Sequence, residues 1–139
     1  MAGQFSDAGS SKALDAVTGR ATVSSATTYL ALLTSAPGDT TTLGTMAEYA
    51  ATGYSRQTVT WASPTLNGSN VPETSNTGTL TFGPFTASTG ATITHCALVS
   101  AASGTTGSIL AFWDLDSSRT PAVNDSLEIT TGNLKLSVD

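Results

Sequence analysis

Threonine and serine dominate this sequence and charged residues are scarce in it, a combination that restricts the folds open to the chain. There are 26 Thr and 18 Ser among 139 residues, whereas Asp, Glu, Lys and Arg together make up 11%. Threonine is β-branched, so it favours extended backbone and fits a half-buried pleated surface. The composition therefore predicts an all-β domain whose weakly charged surface suits close packing against other protein copies.

Short apolar or alternating segments, separated by turn residues, predict about seven or eight strands. They cover residues 28–34, 54–61, 79–82, 93–99, 109–113, 127–130 and 134–138. This spacing is typical of an antiparallel β-sandwich or jelly roll.

Three segments between these strands also carry a prediction. Residues 63–78 are rich in Ser, Pro, Asn and Gly and predict a long loop, and residues 46–48 predict one turn of helix. Thr131-Gly132-Asn133 predicts a hairpin turn between the last two strands.

The N-terminal part differs in character from the rest of the chain. We expect residues 1–20 to form an extended arm and a short helix, and residues 21–139 to form a single β domain. The helix is expected over Ser11–Val17, capped by Ser10 or Ser11 and ended by Gly19. Leu14 and Val17, three residues apart, would share its apolar face.

Residues 1–10 are small and polar, so we expect them to be mobile in the free protein and to bind a partner. Phe5 is the one large apolar side chain of this arm. Docked in a partner's groove, its ring would leave water, which favours a role in binding.

The strand pattern also predicts a hydrophobic core. Its expected members are Leu30, Leu32, Val59, Trp61, Leu80, Phe82, Leu98, Ile109, Leu127 and Ile129. Trp61 is the largest of them, so its replacement by alanine is expected to cost about 3–5 kcal/mol of folding stability.

Charge and targeting signals exclude several functions. The net charge is −5 and only 5 residues are Lys or Arg, too few for the basic patch that nucleic acid or an anionic membrane surface requires. The first residues lack a signal-peptide pattern, and no apolar run approaches the ~20 residues of a membrane span. We expect the chain to be made in a cytoplasm and to stay intracellular unless it leaves as part of a particle.

The sequence predicts no catalytic, metal or cofactor site. His95, the only histidine, lies in a strand pattern and is expected to be a hydrogen-bonded structural residue. Cys96, the only cysteine, is expected to be a small buried hydrophobe. Asp114 and Asp116 lack the spacing of a calcium loop and are interpreted as a solvated strand end.

Two further residues are candidates for contacts. Arg56 is one of five basic residues and lies in a strand pattern, so we expect it to pair with a carboxylate in this domain or on a neighbouring subunit. Trp113, with Tyr49, could serve as an exposed aromatic for partner or receptor binding. Together with Phe5 and Leu14, Arg56 and Trp113 complete the predicted partner-binding residues.

The order of the segments resembles a family of small virion proteins of tailed bacteriophages. The most specific parts of the resemblance are Gly53-Tyr54-Ser55-Arg56-Gln57 and Thr94-His95-Cys96-Ala97-Leu98. The resemblance covers about residues 12–138, and members are described as minor capsid, head decoration or tail fibre proteins. It implies a structural protein of the virion.

Three functions are compatible with these observations. The first is capsid decoration, with the major capsid protein as partner and a homo-oligomer, most simply a trimer, on the lattice. The second is a tail or tail-fibre component involved in host attachment. The third, from a different class, is a carbohydrate-binding module or hydrolase, for which Trp113 would supply the sugar platform.

Overall fold

The computed structural model describes residues 1–22 and 26–138. It contains one helix, α1 (Asp7–Val17), and ten strands. The strands are β1 (Ala2–Phe5), β2 (Thr28–Leu33), β3 (Gln57–Val59), β4 (Thr65–Leu66), β5 (Pro72–Ser75), β6 (Leu80–Phe82), β7 (Ile93–Val99), β8 (Ile109–Arg119), β9 (Leu127–Ile129) and β10 (Lys135–Ser137).

Eight strands form one large sheet in the order β3-β2-β7-β8-β1-β10-β5-β4, and β6 pairs with β9 in a second, two-stranded sheet. All pairs are antiparallel except β1 with β10. The large sheet curls until residues after β3 reach the last residue of β5 and the segment that follows it. There Ala62 N donates to Ser75 O at 2.9 Å and Thr77 N donates to Thr60 O at 2.9 Å. The predicted all-β, sandwich-like class is thus confirmed, with one parallel pair that the pattern did not predict.

The core has two parts because alternate residues of the central strands face opposite sides of the sheet. Leu30 and Leu32 of β2 face the second sheet and join the larger cluster. Ala31 and Leu33 face the other way and are covered by the segment that contains Leu43 and Met46. Every residue expected in the core is buried except Trp61, which is half-buried and packs against the larger cluster.

Several local predictions were wrong. The expected loop over residues 63–78 contains the short strands β4 and β5. The expected strand over residues 54–61 shrinks to β3, and residues 46–48 form no helical turn but include a bridge from Glu48 to Leu33. β5 pairs with β10 and Glu48 with Leu33, contacts between separate segments that local preference does not contain, whereas β4 pairs with β5 in its own segment.

The last two strands do not form the predicted hairpin. β9 pairs with β6 in the second sheet, whereas β10 pairs with β1 and β5 in the large sheet. The Thr131-Gly132-Asn133 turn therefore carries the chain from one sheet to the other.

The N-terminal residues are extended, as expected, but they do not form a free arm. β1 lies inside the large sheet, between β8 and β10. α1 also begins earlier than predicted: Ser6, rather than Ser10 or Ser11, is the N-cap, and its Oγ accepts from Gly9 N at 3.1 Å. Gly19, with φ of +69°, follows the helix end at Thr18, as its expected role as the stop requires.

No helix in the described part of the chain is long and apolar enough to cross a membrane.

Candidate functional site

The four predicted partner-binding residues are not brought together. Phe5 lies in β1, half-buried opposite Ala111 of β8, and lines a cleft of about 280 Å³ beside the start of α1. Leu14 is on α1 and is 66% exposed. Arg56 and Trp113 are both enclosed by the domain, so Leu14 is the one predicted residue of the four that is largely exposed.

Trp113 is not an exposed aromatic residue. Its side chain is 1% exposed, its Nε1–H donates to Lys135 O at 2.6 Å, and its ring stacks on Trp61 with centroids 6.3 Å apart. Tyr49 is buried as well. The expectation that these rings face a partner or receptor was wrong, because strand β8 turns Trp113 toward the core and only the following residue, Asp114, toward solvent.

Arg56 forms the predicted ion pair, and its partner is Glu48 of the same chain. The guanidinium makes a two-pronged contact: Nε–H donates to Oε1 at 2.8 Å and Nη2–H donates to Oε2 at 2.7 Å. Its remaining donors reach Ala101 O and Gly104 O, each at 3.0 Å. The Arg56 side chain is only 4% exposed, and its hydrogen bonds fasten the loop at residues 101–104 to the sheet.

Tyr54 also contacts Glu48, and we call Glu48, Tyr54 and Arg56 the ion-pair cluster. The sequence did not predict the role of Tyr54. Its hydroxyl donates to Glu48 Oε1 at 2.8 Å and accepts from Leu32 N at 3.0 Å. Burial, with the nearby Glu48 charge, raises the pKa of Tyr54, so the phenol stays neutral and remains a donor. The hydrogen bonds to Glu48 raise the pKa of Arg56. The spacing of Tyr54 and Arg56, two residues apart in an extended segment, was the signal that both side chains share one side.

His95 is hydrogen-bonded through both ring nitrogens, as expected of a structural histidine. Nδ1 lies 2.7 Å from Thr94 Oγ1, and Nε2 lies 2.8 Å from Asp114 Oδ1. Asp114 faces His95 across the β7–β8 pair and is largely exposed. The strand end expected to be merely solvated thus holds an ion pair or hydrogen bond across two strands.

Cys96 is fully buried in β7, and burial raises the pKa of its thiol to about 12. We predict that the folded protein resists thiol-specific alkylation at pH 8 and that chemical unfolding makes one thiol reactive, measured by mass.

Because the folded pKa of the Cys96 thiol lies above the unfolded one, the neutral thiol stabilises the fold at low pH. That contribution is expected to decline as pH rises from about 9 to about 12, visible as a falling unfolding midpoint. A thiol that reacts in the folded state would contradict the prediction.

The outer side of α1 is the candidate contact surface. Val17 and Leu14, one turn apart, are 87% and 66% exposed, and among the described helical residues only Gly9 is buried. We call these two residues the α1 face. The sequence predicted their shared side but could not show that the domain leaves it uncovered.

The family described as Podophage GP4 fiber I protein gp80 matches residues 4–137. A comparison with curated proteins gave no significant match. The match spans nearly the whole domain, including the ion-pair cluster, both sheets and α1. The chain therefore belongs to the Podophage GP4 fiber I protein gp80 family, a family of tailed-phage virion proteins.

Proposed function

We propose that this protein is a non-enzymatic building block of the tail-fibre apparatus of a tailed phage. The observation that carries the proposal is the family match over residues 4–137, whose description names a fibre protein of a podophage. Among the functions considered from the sequence, the fibre component therefore takes precedence over capsid decoration.

The ion-pair and histidine geometry supports a structural rather than a catalytic role. The ring nitrogens of His95 contact Thr94 Oγ1 on the same strand and Asp114 Oδ1 on β8, so this histidine links two neighbouring strands. The Arg56 guanidinium is engaged with Glu48 and two loop carbonyls. The side chains with the most reactive chemistry therefore hold strands and loops in place.

The carbohydrate-binding alternative depended on an accessible Trp113. Because that ring is buried against Trp61 and hydrogen-bonded to the backbone, it offers no flat face to a sugar. Capsid decoration, with the major capsid protein as partner, stays a prediction. The position of the protein on the virion distinguishes it from the tail-fibre role.

The location of the protein on the particle tests the proposal. Gold-labelled antibody against the purified protein is applied to intact virions, and separated heads and tails are compared by quantitative mass spectrometry. We expect label at the tail and a copy number of a few to some tens per particle. Label spread evenly over the head, with hundreds of copies that remain with purified heads, would overturn the tail-fibre assignment and favour decoration.

A further inference from the structure

The strand β1 is held in the sheet by residues from the far end of the chain. Gln4 and Phe5 pair with Phe112 and Ala111 of β8, and on the other side β1 pairs with β10. Gly3 lies so close to the Trp113 ring that an added Cβ would come within 2.3 Å of it. Without β1, the facing edges of β8 and β10 would lose their hydrogen-bond partners and the Trp113 ring would lose its cover. We call the position of β1 between these two strands the β8–β10 slot, and it must be filled.

The unit formed by β1 and α1 docks on a restricted surface. Among the other helices and strands it contacts only β8 and β10. Ser6 N and Ser6 Oγ donate to Leu110 O and Ile109 O at 3.0 and 2.5 Å, and Gly9 approaches the Leu110 carbonyl more closely than any other residue type could. None of these contacts requires the unit to belong to the same chain.

The connection from α1 to β2 sets how far an exchanged unit can lie from its own domain. Residues 18–21 are hydrogen-bonded to α1, and the six residues 22–27, if extended, could span about 20–22 Å. In the described part of this connection, residues 18–22 and 26–27 are all exposed. Its first residues are fixed to α1: Arg20 N and Ala21 N donate to Asp15 O at 2.9 and 3.3 Å, and the Arg20 side chain pairs with that of Asp15.

The α1 face lies directly beside this connection. Val17 is the last residue of α1, and Leu14 is one turn before it. In an isolated copy these two side chains are in contact with water, and they are among the most exposed large apolar residues of the described chain. An exchange of the N-terminal unit brings two connections side by side, where such residues gain a partner.

We propose that copies of this protein assemble by exchanging the β1–α1 unit, so that β1 of one copy fills the β8–β10 slot of a second copy. Reciprocal exchange gives a closed dimer, and cyclic exchange gives a ring such as a trimer. The α1 face of each copy then packs against its neighbour. This inference rests on the proposed function, since it supplies the link between repeated copies of a fibre component.

Cross-linking of two differently tagged full-length chains tests the exchange. Ala2 and Lys135 are paired neighbours on β1 and β10 and both are exposed, so cysteines at these positions can form a disulfide. One chain carries Ala2→Cys and the other carries Lys135→Cys, and they are co-expressed and oxidised. We expect a disulfide between the two tags on a non-reducing gel. As a control, a chain with Ala2→Cys is mixed with a chain that carries Ser103→Cys in an exposed loop. This mixture measures the background of disulfides formed by random collision.

The double variant Ala2→Cys/Lys135→Cys provides the opposing outcome. An internal disulfide in a monomer, with no link between tagged chains in the mixture, would overturn the exchange. If neither preparation oxidises, sedimentation velocity decides. A monomer at all concentrations, or an oligomer unaffected by inserting residues after Ala21, overturns it, and an oligomer that this insertion converts to monomer supports it. Because these measurements use purified protein, they can fail while virion labelling succeeds, and the reverse.

Discussion

Replacing Trp113 by alanine is expected to lower the free energy of unfolding by about 3–5 kcal/mol. The ring is fully buried in the larger core cluster, contacts Gly3 of β1 and stacks on Trp61. Its removal leaves a cavity between β8 and β1 and frees the Lys135 carbonyl that accepted its hydrogen bond. Urea unfolding followed by far-UV circular dichroism measures the loss.

Trp61→Ala is the matched control for this experiment. Trp61 is only half-buried, and its Nε1–H donates to Thr28 Oγ1 at 3.2 Å. Its removal is expected to cost less, about 1.5–3 kcal/mol, since part of the ring already contacts water. This reverses the expectation from the sequence, which ranked Trp61 as the buried tryptophan. Equal or greater destabilisation by Trp61→Ala would show that the assignment of the two rings is wrong.

Glu48→Gln is expected to destabilise the protein by about 3 kcal/mol. The substitution removes the negative charge while the Arg56 guanidinium remains 4% exposed, so a buried cation loses its partner. The Tyr54 hydroxyl also loses its carboxylate acceptor. Thermal and urea unfolding measure the change, and we expect the loop at residues 101–104 to become more susceptible to protease, because its carbonyls are bound by Arg56.

Asp15→Asn supplies the comparison for a surface pair. Arg20 and Asp15 lie 3.1 Å apart with side chains 78% and 39% exposed, so breaking this pair is expected to cost less than about 1 kcal/mol. The double replacement Glu48→Leu/Arg56→Met is expected to recover part of the loss caused by Glu48→Gln, since no buried charge is then left alone. If Glu48→Gln unfolds at the same urea concentration as the unchanged protein, the ion-pair cluster does not stabilise the fold.

The two most specific segments of the family resemblance have structural explanations. Tyr54 and Arg56 hold Glu48 and the loop at residues 101–104, and His95 binds Asp114 across two strands. In this chain both segments fasten strands or loops to the sheet. The proposed contact surface lies elsewhere, at the α1 face.

The sequence alone determined the properties that depend on a few neighbouring residues. The apolar run of residues 28–34 and the strand pattern of residues 93–99 predicted β2 and β7, because short apolar segments bounded by turn residues favour strands. Its place in a strand pattern, in a chain with only five basic residues, predicted that Arg56 would pair with a carboxylate. Cys96 and His95 were predicted as structural residues from their place in the same strand pattern.

Only the tertiary structure decided which distant segments meet. Residues 2–5 look like a polar arm, and they become an interior strand because β8 and β10 supply hydrogen-bond partners more than 100 positions away. Glu48 lies beside Arg56 because the chain folds back and Glu48 forms a bridge to Leu33 of β2, which the sequence does not show. Which tryptophan is buried depends on the strand packed over it, and β1 covers Trp113 and not Trp61. Pairing between strands is a non-local choice, so local pattern predicts that strands exist and leaves their neighbours, and therefore their burial, to the folded sheet.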